Sequence, residues 1–341
     1  MRVLVTGGAG FIGSNFIRHL LNSRRDLHVT NLDKITYAGN PENLADVQND
    51  SRYQFVHGDI ADPSSVEALL PNGVDVLVNF AAETHVDRSI LDALPFMYTN
   101  VLGLQCLLET ARKNKIGRFV HISSDEVYGP ANTGESHLET SPLIPSSPYA
   151  ASKAAGDHLV GAYAHTYGMR PLVLRSTNNY GPYQFPEKFI PLMIANALDK
   201  KPLPLFGDDA QERDWLHVED FCRAVAAAVE AEELSGVYNV SANDSRTNLE
   251  IAGEIAELAG APPSLITHVQ DRPGHDRRYA IDSSKFREAT GWTPEIAFAE
   301  GLRDTVKWYQ LNSVWLEKTR SGEYRRYYEL HYGRRMQTFA F

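Results

Sequence analysis

Residues 3–13 read VLVTGGAGFIG, an apolar run that breaks into four glycines and then resumes with apolar residues at helical spacing. Glycine lets a backbone turn sharply and come close to a pyrophosphate, whose charge the start of the following helix then stabilises. Such glycines alone are a weak signal. Here a strand precedes them, a helix follows, and an acid, Asp33 in NLDK, ends the next apolar run 20 residues beyond Gly13. Gly7, Gly10, Phe11, Ile12 and Gly13 are therefore expected to cradle a dinucleotide. The Asp33 carboxylate can accept both ribose hydroxyls and repels a 2′-phosphate, which favours NAD over NADP; adjacent Lys34 argues the other way.

Further out, RVLVT (2–6), HVTNL (28–32), YQFVH (53–57), VDVLVNF (74–80), RFVHIS (118–123) and RPLVLR (170–175) read as strands. They are continuous rather than alternating, as in a parallel sheet covered on both faces. NFIRHLLNS, NVLGLQCLLETARKN and YAASKAAGDHLVGAYAHTYG between them carry helical spacing. The alternation predicts an α/β fold, a doubly wound parallel sheet of Rossmann type with right-handed crossovers. GVYNV (236–240) rejoins it, and STNNYGPYQFPEKFIP (176–191) reads as a long shaped loop. The expected organisation is a cofactor domain over 1–177 and 215–241, a smaller mixed α/β substrate-binding lobe over 178–214 and 242–330, and a tail over 331–341.

Of 341 residues, 43% are hydrophobic and 22% charged, a globular profile. A net charge of -10 disfavours nucleic acid or an anionic membrane as partner. It leaves room for a phosphorylated small molecule, which a few local cations can hold. Cys106 and Cys222, without a CxxC, read as buried inert thiols of a reducing compartment. No apolar run approaches the ~18 residues that span a bilayer, and glycines interrupt the apolar N-terminus too early for a signal-peptide core. The expected location is the cytoplasm.

Two features carry chemistry. Of 16 tyrosines only Tyr149, in YAASK, has a lysine, Lys153, four residues on, which puts both on one helix face. A phenol serves as a base near pH 7 only if its pKa of about 10 falls by about 3; a fixed ammonium and a cationic nicotinamide supply such a field. In HISSDEVYG (121–129) two acids, Asp125 and Glu126, stand side by side. Mutual repulsion drives their pKa values apart and leaves one protonated. The competing reading is a helix cap, because Ser123 and Glu126 fit S-x-x-E, although a cap does not need Asp125. Asp59 and Ile60 in GDIAD can flank an adenine at a strand end, and Ala81 and Ala82 let a cofactor lie close. HVD (85–87) lacks further ligands at metal-site spacing, so no metal is expected.

TGGAGFIG, SSDEVYG and the Tyr149–Lys153 pair together resemble the extended short-chain dehydrogenase/reductase family, which acts on nucleotide sugars. Within it, HVDRSI (85–90), NNYGPYQFPEK (178–188), RDWLHVED (213–220) and RPGHDRRYAID (272–282) resemble the 4,6-dehydratases, and the resemblance runs to about residue 330. It implies NAD, with Thr99 and Asn178 joining its site, and dTDP-glucose as substrate. It implies Tyr149 with Lys153 and Ser124 at the sugar C4 hydroxyl, Glu126 as base at C5 and Asp125 as acid for the C6 hydroxyl. For the substrate it implies Arg213 and Arg272 at the diphosphate with Lys188 and His275 as further cations, Asn178 near the sugar, and Pro204 and Phe206 beside the base. Phe189 and Thr84 belong to the same group, as does Asn248, which is equally a plausible cap. Ser124 stands where many members have Thr, and Thr84 where Ser is common. Helices near 100–113 and 149–167 are implied to pair across a homodimer. The rival readings are a 4-epimerase of the same family or a 4,6-dehydratase for a UDP-, CDP- or GDP-sugar, with a non-catalytic NAD-sensing protein after them. The adjacent acids argue against the epimerase and the intact Tyr–Lys pair against the last, while thymidine rests on block similarity alone.

Overall fold

The computed structural model describes residues 1–207 and 211–320; the tail expected over 331–341 lies outside them. Strands β1 (Arg2–Thr6), β2 (His28–Asp33), β3 (Tyr53–His57), β4 (Val76–Asn79), β5 (Arg118–Ser124) and β6 (Leu172–Ser176) fall where the apolar runs predicted, and Gly236–Val240 joins them outside β6. The spatial order is Gly236–Val240, β6, β5, β4, β1, β2, β3, with every pair parallel. The chain runs outward from β1 to β3 and then returns across β1 to β4. That reversal opens a crevice at the carboxyl ends of β1 and β4, where doubly wound sheets bind ligands.

β4 and β6 are buried along their whole length. β3 departs from the expected two-sided burial: it is the edge strand, and Phe55 is 41% exposed. One face of the sheet is covered by the helices Phe11–Ser23 and Val218–Glu230, with Phe16, Ile17, Phe221 and Val225 in the core. The other is covered by Leu104–Lys113 and Pro148–Tyr167, through Leu107, Leu108 and Val160. A separate core around Trp215, Ile251 and Leu302 organises the helices Phe189–Leu198, Asn248–Leu258 and Phe298–Leu311.

Two elements position chemistry. Ser147 accepts from Ala150 N at 3.1 Å, Pro148 fixes the first turn, and Gly168 ends the helix at φ 67°, so Pro148–Tyr167 has defined ends. The short helical turn Asp125–Tyr128 leaves β5 directly, and its cap is Ser124, which accepts from Glu126 N at 3.2 Å. The capping box of the competing reading, with Ser123 as cap, therefore does not form, because β5 continues through Ser124. The stretch 176–191 is also more ordered than a loop. Asn178–Tyr180 pairs with Trp215–His217, and a helix begins at Phe189. A three-residue strand is decided by its remote partner and leaves no local signal.

Candidate active site

Gly7 leaves β1 at φ +72°, and a Cβ there would stand 2.5 Å from Ala81 N; only glycine closes this turn. Gly10 differs, since an added Cβ would meet just the Gly7 carbonyl, at 3.2 Å. Its other side lines the cleft. Gly10 also occupies the cap position of the Phe11–Ser23 helix without a side chain to cap it, so first-turn amides are left for an anion. The Asp33 carboxylate accepts from Ala9 N and Ile35 N, each at 2.8 Å. Burial raises its pKa, against those two hydrogen bonds. Lys34, the residue that argued for a 2′-phosphate, pairs with Asp59 at 2.6 Å. Its charge is thereby drawn away from the ribose position. The cradle, the uncapped helix start and the anchored acid fit NAD. Phe11, Ile12, Gly13, Ile60, Ala81, Ala82, Thr99 and Asn178 line the same cleft.

That cleft runs on to Thr84, Ser124, Asp125, Glu126, Tyr149, Lys153 and Lys188. Asp125 is buried and its Oδ2 meets no hydrogen-bond partner among the described residues. Burial, then Glu126 and Asp214, push the Asp125 carboxyl up to about 8. Burial also raises Glu126, but Arg272, Arg213 and Lys188 face it and pull it back. The adjacent acids are thus inequivalent: Asp125 holds a proton at neutral pH, and Glu126 has the cationic support to lose one. Lys153 Nζ donates to the Ile122 carbonyl at 2.5 Å, and burial takes its pKa down to about 8 against the pull of Asp157. Burial and then Glu126 push the Tyr149 phenol above its ordinary value, with a hydrogen bond to Ser124 opposing. The lowering that a base needs is left to the Lys153 ammonium on the same helix face together with the cationic ring of the cofactor.

The second lobe brings its cations toward Glu126. Arg213 donates to the Glu212 and Asp276 carbonyls at 2.8 and 2.9 Å and lies over the Tyr279 ring, 4.3 Å from its centroid. Arg272 pairs with Asp87 at 3.0 Å, and Lys188 donates to the Thr84 carbonyl at 2.6 Å. His275 shares a 2.7 Å hydrogen bond with Asp271 and presents its ring edge-on to Phe206; burial, then Arg272 and Arg213, take its pKa down to about 4, so it is not the cation expected of it. Phe189 packs near Trp215, Pro204 is buried in the strand Leu203–Phe206, and Asn248 begins a helix whose cap is Thr247. The sequence reading passed over Glu187, which is buried, pairs with Arg88 at 3.1 Å and is raised by burial to about 7. It also passed over Asp87 and Tyr279. All three lie inside the matched blocks, but the partners of Asp87 and Glu187, Arg272 and Arg88, are remote in sequence and come together only on folding.

The family model described as GDP-mannose 4,6 dehydratase matches residues 4–305. A dTDP-glucose 4,6-dehydratase of Streptomyces niveus is 48% identical over 94% of this chain and 96% of its own. One of Escherichia coli K12 is 46% identical over 97% and 99%. The crystal structure of DesIV, a dTDP-glucose 4,6-dehydratase of Streptomyces venezuelae with NAD and dTDP bound, superposes with a TM-score of 0.91 at 48% identity, covering 94% of this chain and all of that one. A UDP-glucose 4-epimerase of Thermus thermophilus with NAD reaches 0.83 at 34% identity over 91% and 99%.

Replacing Asp33→Ala removes charge-assisted hydrogen bonds of about 1.5–3 kcal/mol. NAD affinity is expected to fall by ~10- to 100-fold, and the preference over NADP to narrow. Calorimetry with both cofactors measures this, and an unchanged NAD affinity takes Asp33 out of the site.

Proposed function

The chain belongs to the GDP-mannose 4,6 dehydratase family, among its dTDP-glucose 4,6-dehydratases, and we propose that it converts dTDP-glucose to dTDP-4-keto-6-deoxyglucose and water. The observation that carries this reading is the inequivalence of Asp125 and Glu126 at one end of the NAD cleft.

Bound NAD supplies one chemistry, accepting the two electrons of C4 oxidation and giving them back at C6. Tyr149 takes the C4 hydroxyl proton, with Ser124 beside it and the Lys153 ammonium on the same helix face. The C4 ketone acidifies the C5 hydrogen, which ionised Glu126 removes. The C6 hydroxyl lies β to the ketone and leaves as water once protonated Asp125 gives it a proton. Glu126 returns its proton to C5 as C6 is reduced. The C4 hydroxyl proton held by Tyr149 then replaces the one Asp125 gave up, and the cycle closes with loss of one water. Arg213, Arg272 and Lys188 hold the diphosphate end, bidentate guanidinium geometry suiting phosphate. Epimerisation at C4 has no C6 leaving group, so it gives Asp125 no work.

Incubation with dTDP-glucose and no added reductant is expected to give a product lighter by one water, with a C6 methyl and a C4 ketone by NMR. Recovery of dTDP-galactose instead makes the chain an epimerase.

The two acids are separable. Asp125→Asn and Glu126→Gln are each expected to lower kcat for dehydration by ~10²- to 10⁴-fold while C4 oxidation continues, so NADH absorbance accumulates on mixing. Dehydration by the unaltered protein falls as pH rises through about 8, where Asp125 and Lys153 both lose the protons they need. A pH profile of kcat that stays flat to pH 9 rules out Asp125 as the acid.

Two copies pair through Leu104–Lys113 and Pro148–Tyr167. Leu94, Tyr98 and Leu102 recur every four residues and are exposed beside them, Leu94 at 72% and Leu102 at 55%. Light scattering is expected to give twice the 38.0 kDa chain mass, and Leu102→Glu to halve it. Among the described residues no helix is long and apolar enough to cross a membrane. Both cysteines are buried and free, which suits the reducing cytoplasm, where we place the protein.

A further inference from the structure

Behind the reacting groups lies a buried ion pair that the chemistry above leaves unused. Asp157 follows Lys153 by four residues, as Lys153 follows Tyr149, so the three share one face of the Pro148–Tyr167 helix. Asp157 and Arg175 are 6% and 4% exposed. Arg175 Nε stands 2.7 Å from Asp157 Oδ2. Its Nη1 donates to the Tyr128 phenol at 2.6 Å, and that phenol donates to Asn239 Oδ1 at 2.8 Å. Tyr128 closes the same helical turn that begins with Asp125 and Glu126. The second Asp157 oxygen, Oδ1, is buried and meets no hydrogen-bond partner among the described residues. Burying a pair of ions is often no more stabilising than an apolar pair of similar volume, so stability alone is a weak reason for this one.

We propose that Asp157 and Arg175 are positioning residues for the C4 oxidation: the Asp157 carboxylate keeps the Lys153 ammonium charged beside Tyr149, and Arg175 ties that helix face to the turn that carries Asp125 and Glu126. The inference rests on the reading of Tyr149 and Lys153 as the base pair at C4. Burial drives Lys153 toward its neutral amine, and Asp157 is the group that opposes this. The other groups about Lys153 do not replace it. His121 from β5 is neutral, because burial and then Lys153 hold its pKa down. Before the cationic ring of the cofactor acts on it, Tyr149 keeps its proton through burial, and so does Asp125. Glu126 is engaged by Arg272, Arg213 and Lys188. Arg175 from β6 is committed to Asp157 and Tyr128. Without the carboxylate, Lys153 loses its proton at a lower pH. A neutral amine gives no field to help Tyr149 take the C4 hydroxyl proton.

Protein labelled with ¹³C-lysine allows Lys153 to be titrated directly, its resonance being the one missing from the Lys153→Arg spectrum. The unaltered protein is expected to titrate near pH 8. In Asp157→Asn the midpoint falls by about one pH unit or more, the size of effect an opposite charge at this range exerts. In Arg175→Met it rises, because Asp157 is freed from a competing cation, and Asp157→Glu restores the original value. The alkaline limb of NAD reduction by dTDP-xylose, which has no C6 hydroxyl to eliminate and so does not need Asp125, follows the same order. A purely structural pair would alter stability in both variants without moving the Lys153 midpoint in opposite directions. Unmoved midpoints in the folded variants overturn the proposal and leave the dehydratase reading intact. If Asp157→Asn does not fold, an upward shift in Arg175→Met supports the proposal and an unshifted one overturns it. If the unaltered protein fails to reduce NAD with dTDP-xylose, the assignment of Tyr149 and Lys153 falls and this inference with it.

Discussion

Removal of charge from water governs the reacting end of this protein. Asp125, Lys153, Asp157, Arg175 and Arg213 are all nearly inaccessible, and in that setting each group's protonation state follows from which opposite charge reaches it. Asp125 faces other acids and keeps a proton; Glu126, one residue on, faces three cations. The sheet makes this possible. The close turn of Gly7 against Ala81 fixes the crevice between β1 and β4, and β5 delivers the acid pair to the same edge.

The two lobes divide the work in physical terms. The parallel sheet, buried on both faces over most of its strands, is rigid enough to hold the nucleotide cradle and the Tyr–Lys helix in register. The smaller lobe contributes chiefly cations, carried on Glu212–His217 and on the segment around Arg272. Contacts across the cleft are themselves polar: Arg272 with Asp87, Arg88 with Glu187, and Lys188 with the Thr84 carbonyl. A diphosphate entering such a cleft meets groups already held in place by partners of the opposite lobe, which limits the ordering cost of binding.

Much of the fold was legible in local pattern. Six strands and their helices announced themselves as apolar runs and helical spacing, because parallel strands covered on both faces need them. β3 shows the limit: its sequence resembles a buried strand, yet among the described residues it has no neighbour on one side. Asn178–Tyr180 shows another, since its strand state depends on Trp215–His217, far along the chain. The site was legible in the same uneven way. Gly7, Asp33, Tyr149 and Lys153 were found by spacing along one segment. The meaning of Glu187 and Asp87 lies in Arg88 and Arg272, and the competing cap at Ser123 gives way to Ser124 because β5 runs one residue further.

By itself, then, the sequence determined which chemistry-bearing residues come together in one cleft: the glycine cradle, the acid Asp33, the Tyr–Lys pair on one helix face and the two adjacent carboxyls. Those are matters of residue type and short-range spacing, and a chain carries them on its face. The tertiary structure decided which carboxyl is held protonated and which faces cations, and why Lys153 sits near its titration point. Those properties are set by burial and by charges on remote segments, Asp214, Arg213, Arg272 and Lys188 on one side and the Asp157–Arg175 pair on the other. No local stretch of sequence encodes a field that only folding assembles.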